Sequence, residues 1–303
     1  MNSIMAFGLI VFLSVSALAI TPVAADTFTF STGSPDGRMG TASRPDSPGK
    51  IKIESADDFV TTSTTRINQA TFTGLLTGGA GLANISQVNV EMYRVFPNDS
   101  NTARTSGPPT FSSAQVPTRV NSPSDIAFET RGSVTGNLTF TTTLLNNSFT
   151  VANTVVNGIH PLPNILTGGE GPTTGLEVHF AVTFTTPFSL PSDHYFFVPQ
   201  VQVTGGEFLW LSAPKPITTG TPFTPDLQSW IRNASLDPDW LRIGTDIVGG
   251  TPAPTFNAAF SLSGETIPEP STLLLLASGV TSLAGWSAWR RMKTRRSASC
   301  RWL

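Results

Sequence analysis

The chain has 303 residues, of which 39% are hydrophobic and 13% charged, and it contains a single cysteine. Its formal net charge is −2, but six of its 18 basic residues stand at or beyond Arg290 and all 20 acidic ones precede Ser271, so residues 26–270 carry about −8. An acidic body of this kind argues against nucleic acid as a partner, because phosphates need a basic face; with Cys300 alone near the end, no internal disulfide can form in that body.

Residues 1–25 read as a signal peptide. Ile4 to Ile20 are almost all apolar or small, with no Lys or Arg ahead of them. The following TPVAADTF puts Val23 and Ala25 at the −3 and −1 positions of a signal-peptidase site, which places cleavage between Ala25 and Asp26. Ala17-Leu18-Ala19 offers a second small-residue site. Export is the expectation, with signal peptidase as the first partner.

Residues 26–266 read as one β-rich body. Period-two patterning predicts strands at Thr27 to Phe30, Ile51 to Phe59 and Ile67 to Leu75, and at SQVNVEMYRV, where Val88, Val90 and Met92 share a face. More follow at Ile126 to Glu129, and at GNLTFTTTL with Leu138, Phe140, Thr142 and Leu144 in one row. EVHFAVTFTT aligns Val178, Phe180, Val182 and Phe184, opposite His179, Ala181 and Thr183. Tyr195 to Val203, Glu207 to Leu211 and TFNAAFSLSG, with Phe256, Ala258, Phe260 and Leu262, complete the series. SPDGRMG, TGGAG, FPNDSN, TGGEGP and VTGG supply turns between them. TPDLQSWIRNASL alone looks helical, with Leu227, Trp230 and Ile231 at helical spacing and Thr224 as N-cap before Pro225. Many short strands without a βαβ rhythm predict a mainly β fold: an antiparallel β-sandwich of jelly-roll or fibronectin-like type. A body of about 240 residues can bury a core that needs no disulfide.

The body offers little recognisable chemistry. His160, His179 and His194 lack metal-ligand spacing, and no G-x-S-x-G elbow, P-loop or dinucleotide fingerprint occurs. Asp57 and Asp58 are neighbours on a predicted strand, so their side chains face opposite ways, with one of them at the surface. Asp237 and Asp239, and Asp36 in its turn, could lend oxygens to Ca²⁺, though none has calcium-loop spacing. Trp210, Trp230 and Trp240 could stack on sugars, but core packing is the usual fate of tryptophan and is the expectation here. No catalytic, cofactor-binding or metal-binding residue is assigned, and Ca²⁺ is the one ion worth considering.

The tail, residues 267–303, is different in kind. Ser271 to Trp289 are nineteen residues without a charge; as a helix they span roughly 28 Å, close to the hydrocarbon core of a bilayer. Arg290, Arg291, Lys293, Arg295 and Arg296 follow and resist translocation, which keeps residues 290–303 cytoplasmic. Ahead of the span, Pro268, Glu269 and Pro270 form an extended segment that neither helix nor sheet can cross. Triplet, apolar span and basic end, in that order, resemble the PEP-CTERM sorting signal of Gram-negative bacteria. The resemblance covers only the tail. It implies recognition and processing by exosortase, a membrane-embedded transpeptidase-like enzyme, and delivery of the body to the cell surface or extracellular matrix. The expected molecule is a non-enzymatic exported protein, a single-pass inner-membrane precursor before processing, with exopolysaccharide as a candidate partner. Two alternatives stand beside it: a secreted carbohydrate-binding module or glycan-active enzyme, and a permanently anchored single-pass membrane protein.

Overall fold

The structure, a computed structural model, describes residues 25–106, 112–160 and 165–267, together with Gly279, Gly285 and Trp286. Among these, strands assemble into two sheets. The larger runs β1 (Thr27–Ser31), β15 (Phe260–Thr266), β4 (Thr65–Thr77), β11 (Glu207–Ala213), β2 (Met39–Ala42) and β8 (Asn153–Val155). On the other edge of β4 it continues through β9 (Thr173–Leu190) to β7 (Thr139–Val151), and β14 (Asn257–Ala258) pairs with β11. The smaller sheet runs β13 (Leu241–Arg242), β12 (Trp230–Asn233), β3 (Ile53–Thr61), β10 (Asp193–Val203), β5 (Ile85–Arg94) and β6 (Glu129–Gly132). The fold is mainly β, as the patterning predicts. It is not purely antiparallel, since β2 and β8 pair in parallel, with Met39 opposite Asn153.

The main core lies between the sheets and is built largely of phenylalanine. Phe72, Phe180 and Phe260 of the larger sheet meet Phe59, Tyr195 and Phe197 of the smaller. Phe197 stacks on Phe260 across the gap, with centroids 5.0 Å apart and planes 8° apart. Offset stacks of this kind add to simple area burial. Val178, Phe180, Val182 and Phe184 are all buried, as are Val88, Val90 and Met92, so these two expected rows face the core. The row in GNLTFTTTL holds in part: Leu138 is buried and Phe140 packs against the main core, whereas Leu144 is exposed on β7, an edge strand.

Other expectations need correction. Ile126 lies outside any strand and is exposed, and β6 begins at Glu129. Phe256 leaves the row of Ala258, Phe260 and Leu262 and joins a second cluster with Leu209, Leu211, Ile231 and Ile247. The expected helix in TPDLQSWIRNASL is strand β12, wedged between β3 and β13. Its neighbours Trp230 and Ile231 point to opposite faces, into two different clusters. A strand covered on both sides needs adjacent apolar residues, and these mimic helical spacing over a short window.

The smaller sheet is thus buried on both faces. Tyr93, Phe196, Val198, Leu227, Trp230 and Trp240 form a third cluster on the side away from the main core.

Candidate functional site

The point where the body hands over to its tail is built by β15, an interior strand. Glu265 pairs with Thr27 of β1 on one side, and Thr266 with Thr65 of β4 on the other. At its end the Thr266 N–H donates to Asp26 O at 2.8 Å and the Asp26 N–H donates to Thr266 Oγ1 at 3.2 Å. The Ile267 N–H then donates to Thr64 O at 2.7 Å. The next residue is Pro268, which has no N–H to offer a ladder. The sheet therefore ends where the triplet begins, and Asp26, the expected first residue after signal cleavage at Ala25, is hydrogen-bonded to the same spot. Pro268, Glu269 and Pro270, the basic residues Arg290, Arg291, Lys293, Arg295 and Arg296, and the 271–289 span apart from three positions lie outside the described residues, as do residues 1–24. Among the described residues no helix is long and apolar enough to cross a membrane.

The acidic pair of β3 behaves differently from expectation. Asp57 and Asp58 do face opposite sides, but neither reaches the surface: both are buried. Asp57 accepts from Ser229 Oγ at 2.8 Å and from the Ala258 N–H at 2.9 Å. Burial, reinforced by the charge of Asp58, pushes its carboxyl well above the usual carboxylate range. Asp58 accepts from the Leu227 N–H at 3.0 Å and sits 2.6 Å from His194 Nε2. Burial raises this carboxyl as well. The His194 ring lies parallel to Phe196 and edge-on to Phe223. Asp57, Asp58 and His194 thus form a polar cluster within the fold. Sequence reasoning missed it because strand alternation says which way a side chain points, not whether that face is covered.

A second buried network lies on the same side of β3. Glu54 accepts from Arg232 Nε at 2.5 Å and from Tyr93 OH at 2.7 Å, and lies 2.9 Å from Lys52 Nζ. Burial alone would raise its carboxyl; Arg232 overcomes this and holds it well below the usual range. Burial and the proximity of Glu54 push the neighbouring Glu91 up to about 7. The partners are far apart in sequence, 178 residues for Arg232 and Glu54, so no local motif announces them.

The residues considered for Ca²⁺ have other partners. Asp237 pairs with Arg232 at 2.8 Å, Asp239 pairs with Arg104 at 2.9 Å, and Asp36 accepts from the Arg38 N–H at 3.0 Å and from Ser212 Oγ. Among the described residues no group of three His, Cys, Asp or Glu is arranged to hold a metal ion. Trp210, Trp230 and Trp240 are all buried, so none offers a face to a sugar. Trp210 belongs to the main core and the other two to the third cluster. His179, half-buried on the outer side of β9, lines a groove of about 370 Å³ with Thr71, Thr73 and Ser261.

Compared with family models, residues 266–291 match the PEP-CTERM protein-sorting motif. The match opens on Thr266, the last residue of β15. The chain thus carries a sorting signal of the type read by exosortase processing enzymes. Neither the curated proteins nor the solved structures gave a match.

Proposed function

We propose that the chain is an exported precursor whose body, residues 26–266, is delivered to the cell surface or extracellular matrix after an exosortase-like membrane enzyme acts on its tail. The observation that carries this reading is the sorting-motif match beginning on the final residue of the final strand. Signal peptidase cuts between Ala25 and Asp26. The 271–289 span then holds a single-pass inner-membrane precursor, and Arg290, Arg291, Lys293, Arg295 and Arg296 keep its end cytoplasmic. Pro268, Glu269 and Pro270 are presented to the enzyme as extended chain. Three residues at about 3.5 Å each bring the body to within roughly 10 Å of the span. The body therefore stands against the membrane with its β1/β15 end, and processing frees it.

We assign the freed body, a β-sandwich in the broad jelly-roll or fibronectin-like style, a non-enzymatic role among surface or matrix components, with exopolysaccharide as the surrounding partner and no cofactor. Its acidic, cysteine-free composition suits such a setting.

The test is Glu269→Gln in the native host. This change keeps size and extended geometry and removes the charge. Uncut protein should accumulate in the membrane, while a chain ending at Ile267 should be released without any processing enzyme. Neutralising the five basic residues should misplace the tail. If the Glu269→Gln protein matures at the normal rate and reaches the surface, the triplet is only a spacer and permanent anchoring is the better reading.

A further inference from the structure

Three side chains converge where the chain leaves β11 and later re-enters the larger sheet at β14. Lys215 stands two residues beyond β11, Asp226 comes from the connection between β11 and β12, and Asn257 opens β14 opposite Ala213. Lys215 Nζ lies 2.5 Å from Asp226 Oδ1 and 3.2 Å from Asn257 Oδ1. The other oxygen of the same carboxylate, Asp226 Oδ2, accepts from Asn257 Nδ2 at 3.3 Å. Pro214 O accepts from that Nδ2 at 3.4 Å. Nζ also donates to Asp226 O at 2.9 Å and to Leu227 O. Four oxygens thus crowd an ammonium that has three protons. Asn257 is 1% exposed, and the side chains of Lys215 and Asp226 are 15% and 16% exposed.

An amine against a carboxamide, with one carboxyl bridging the attacking nitrogen and the leaving nitrogen, is an arrangement for acyl transfer. We propose that Lys215 and Asn257 become joined by an intramolecular isopeptide bond, with Asp226 as the acid–base group. Asp226 Oδ1 takes a proton from the ammonium and frees the Nζ lone pair. Nζ attacks Asn257 Cγ, the Cγ–Nδ2 bond breaks, and Asp226 passes protons to Nδ2 through Oδ2. Two of the three ammonium protons leave with Nδ2 as an ammonium ion, and the third stays on the new secondary amide. The exchange is balanced and requires no oxidant or further reactant.

The bond would tie positions 42 residues apart. It would fasten the connection after β11 to β14, and β14 leads through Ala259 into β15, the strand that carries the tail. A body without disulfides would gain a covalent clasp on its C-terminal strands. The reaction does not involve the tail, so its failure would leave the sorting reading standing.

Peptide mapping of the full-length chain by mass spectrometry decides the matter. Wild-type protein should yield a branched peptide holding Lys215 and Asn257, lighter than its two arms together by one ammonia. Lys215→Arg, which keeps the charge but cannot form the amide, and Asp226→Asn should yield only separate arms. By loop-closure entropy, wild type should melt roughly 10 °C above Lys215→Arg. The wild-type map is decisive even if a variant folds poorly. Separate arms with intact Asn257 after prolonged incubation at neutral pH overturn the proposal and leave a plain ion pair. Loss of ammonia without a branch overturns it too, since that marks a succinimide. A branch persisting in Asp226→Asn overturns the role given to Asp226.

Discussion

Arg232 shows how much of this fold rests on a few buried charges. Its guanidinium donates to Glu54 Oε2 and Tyr93 OH, pairs with Asp237, and covers the Trp240 ring at 4.3 Å. Removing one partner of such a pair strands the other charge in the interior. Arg232→Met should therefore lower unfolding free energy by about 3–5 kcal/mol in urea titration; a loss under 1 kcal/mol would mean that Glu54 simply takes up a proton. Glu91 governs pH response. Its folded carboxyl titrates at about 7, above its ordinary 4.5, so the folded state holds a proton the unfolded chain has already released. That contribution is fully present below about pH 4.5 and is lost as pH rises to about 7. At about 1.4 kcal/mol per pKa unit it amounts to at most about 3.5 kcal/mol. The raised carboxyls of Asp57 and Asp58 act in the same direction. Glu54, held low, contributes above its ordinary 4.5 and loses that contribution on acidification. The melting temperature should peak in mild acid and fall toward pH 8, and Glu91→Gln should flatten the fall between pH 4.5 and 7. A wild-type melting temperature that climbs steadily from pH 5 to 8 would contradict this.

At the level of elements, β4 is the organising strand, and Gly74 is where it changes partners. Up to Phe72 one edge of β4 pairs with β15; from Gly74 onward it pairs with β11, with Trp210 opposite Gly74. Phe208 of β11 lies over that position, and a Cβ on residue 74 would fall 2.0 Å from its ring. The ring is itself fixed edge-on against Phe72 and Phe180. Gly74→Ala should cost about 1–3 kcal/mol by overpacking, visible as a lower urea midpoint with unchanged slope. Phe208→Leu, which withdraws the ring, should recover part of that loss in the double variant. The patterning found β4 at Ile67 to Leu75, yet the need for glycine at position 74 depends on a ring 134 residues further along and is invisible locally. The same holds for β12, whose apolar residues look helical until the second covered face of its sheet is known.

For the whole molecule, the position of β15 makes a sharp expectation. It closes the larger sheet between β1 and β4 and sends Phe260 and Leu262 into the main core. A chain of residues 26–267 should fold as a soluble, β-rich unit, whereas one ending at Ala259 should lose the cooperative transition, because an interior strand and its core side chains are gone. Circular dichroism with thermal melting distinguishes the two; a cooperative melt in the shorter chain would show β15 to be dispensable. The tail and the fold are thus coupled, since the strand that completes the core is also the one that leads into the sorting signal.

The sequence by itself determined the β class, most strand positions, the acidic body and the sorting motif. Each is written in local order, as period-two rows, charge placement, or a triplet followed by an apolar span and a basic end. Only the tertiary structure decided which faces are covered. It buried Asp57 and Asp58 together, matched Glu54 with Arg232, turned a helix-like stretch into β12, and set Lys215, Asp226 and Asn257 in contact. The physical reason is common to all four. Whether a polar group is solvated, paired or reactive depends on neighbours brought from distant parts of the chain, and local periodicity carries no record of them.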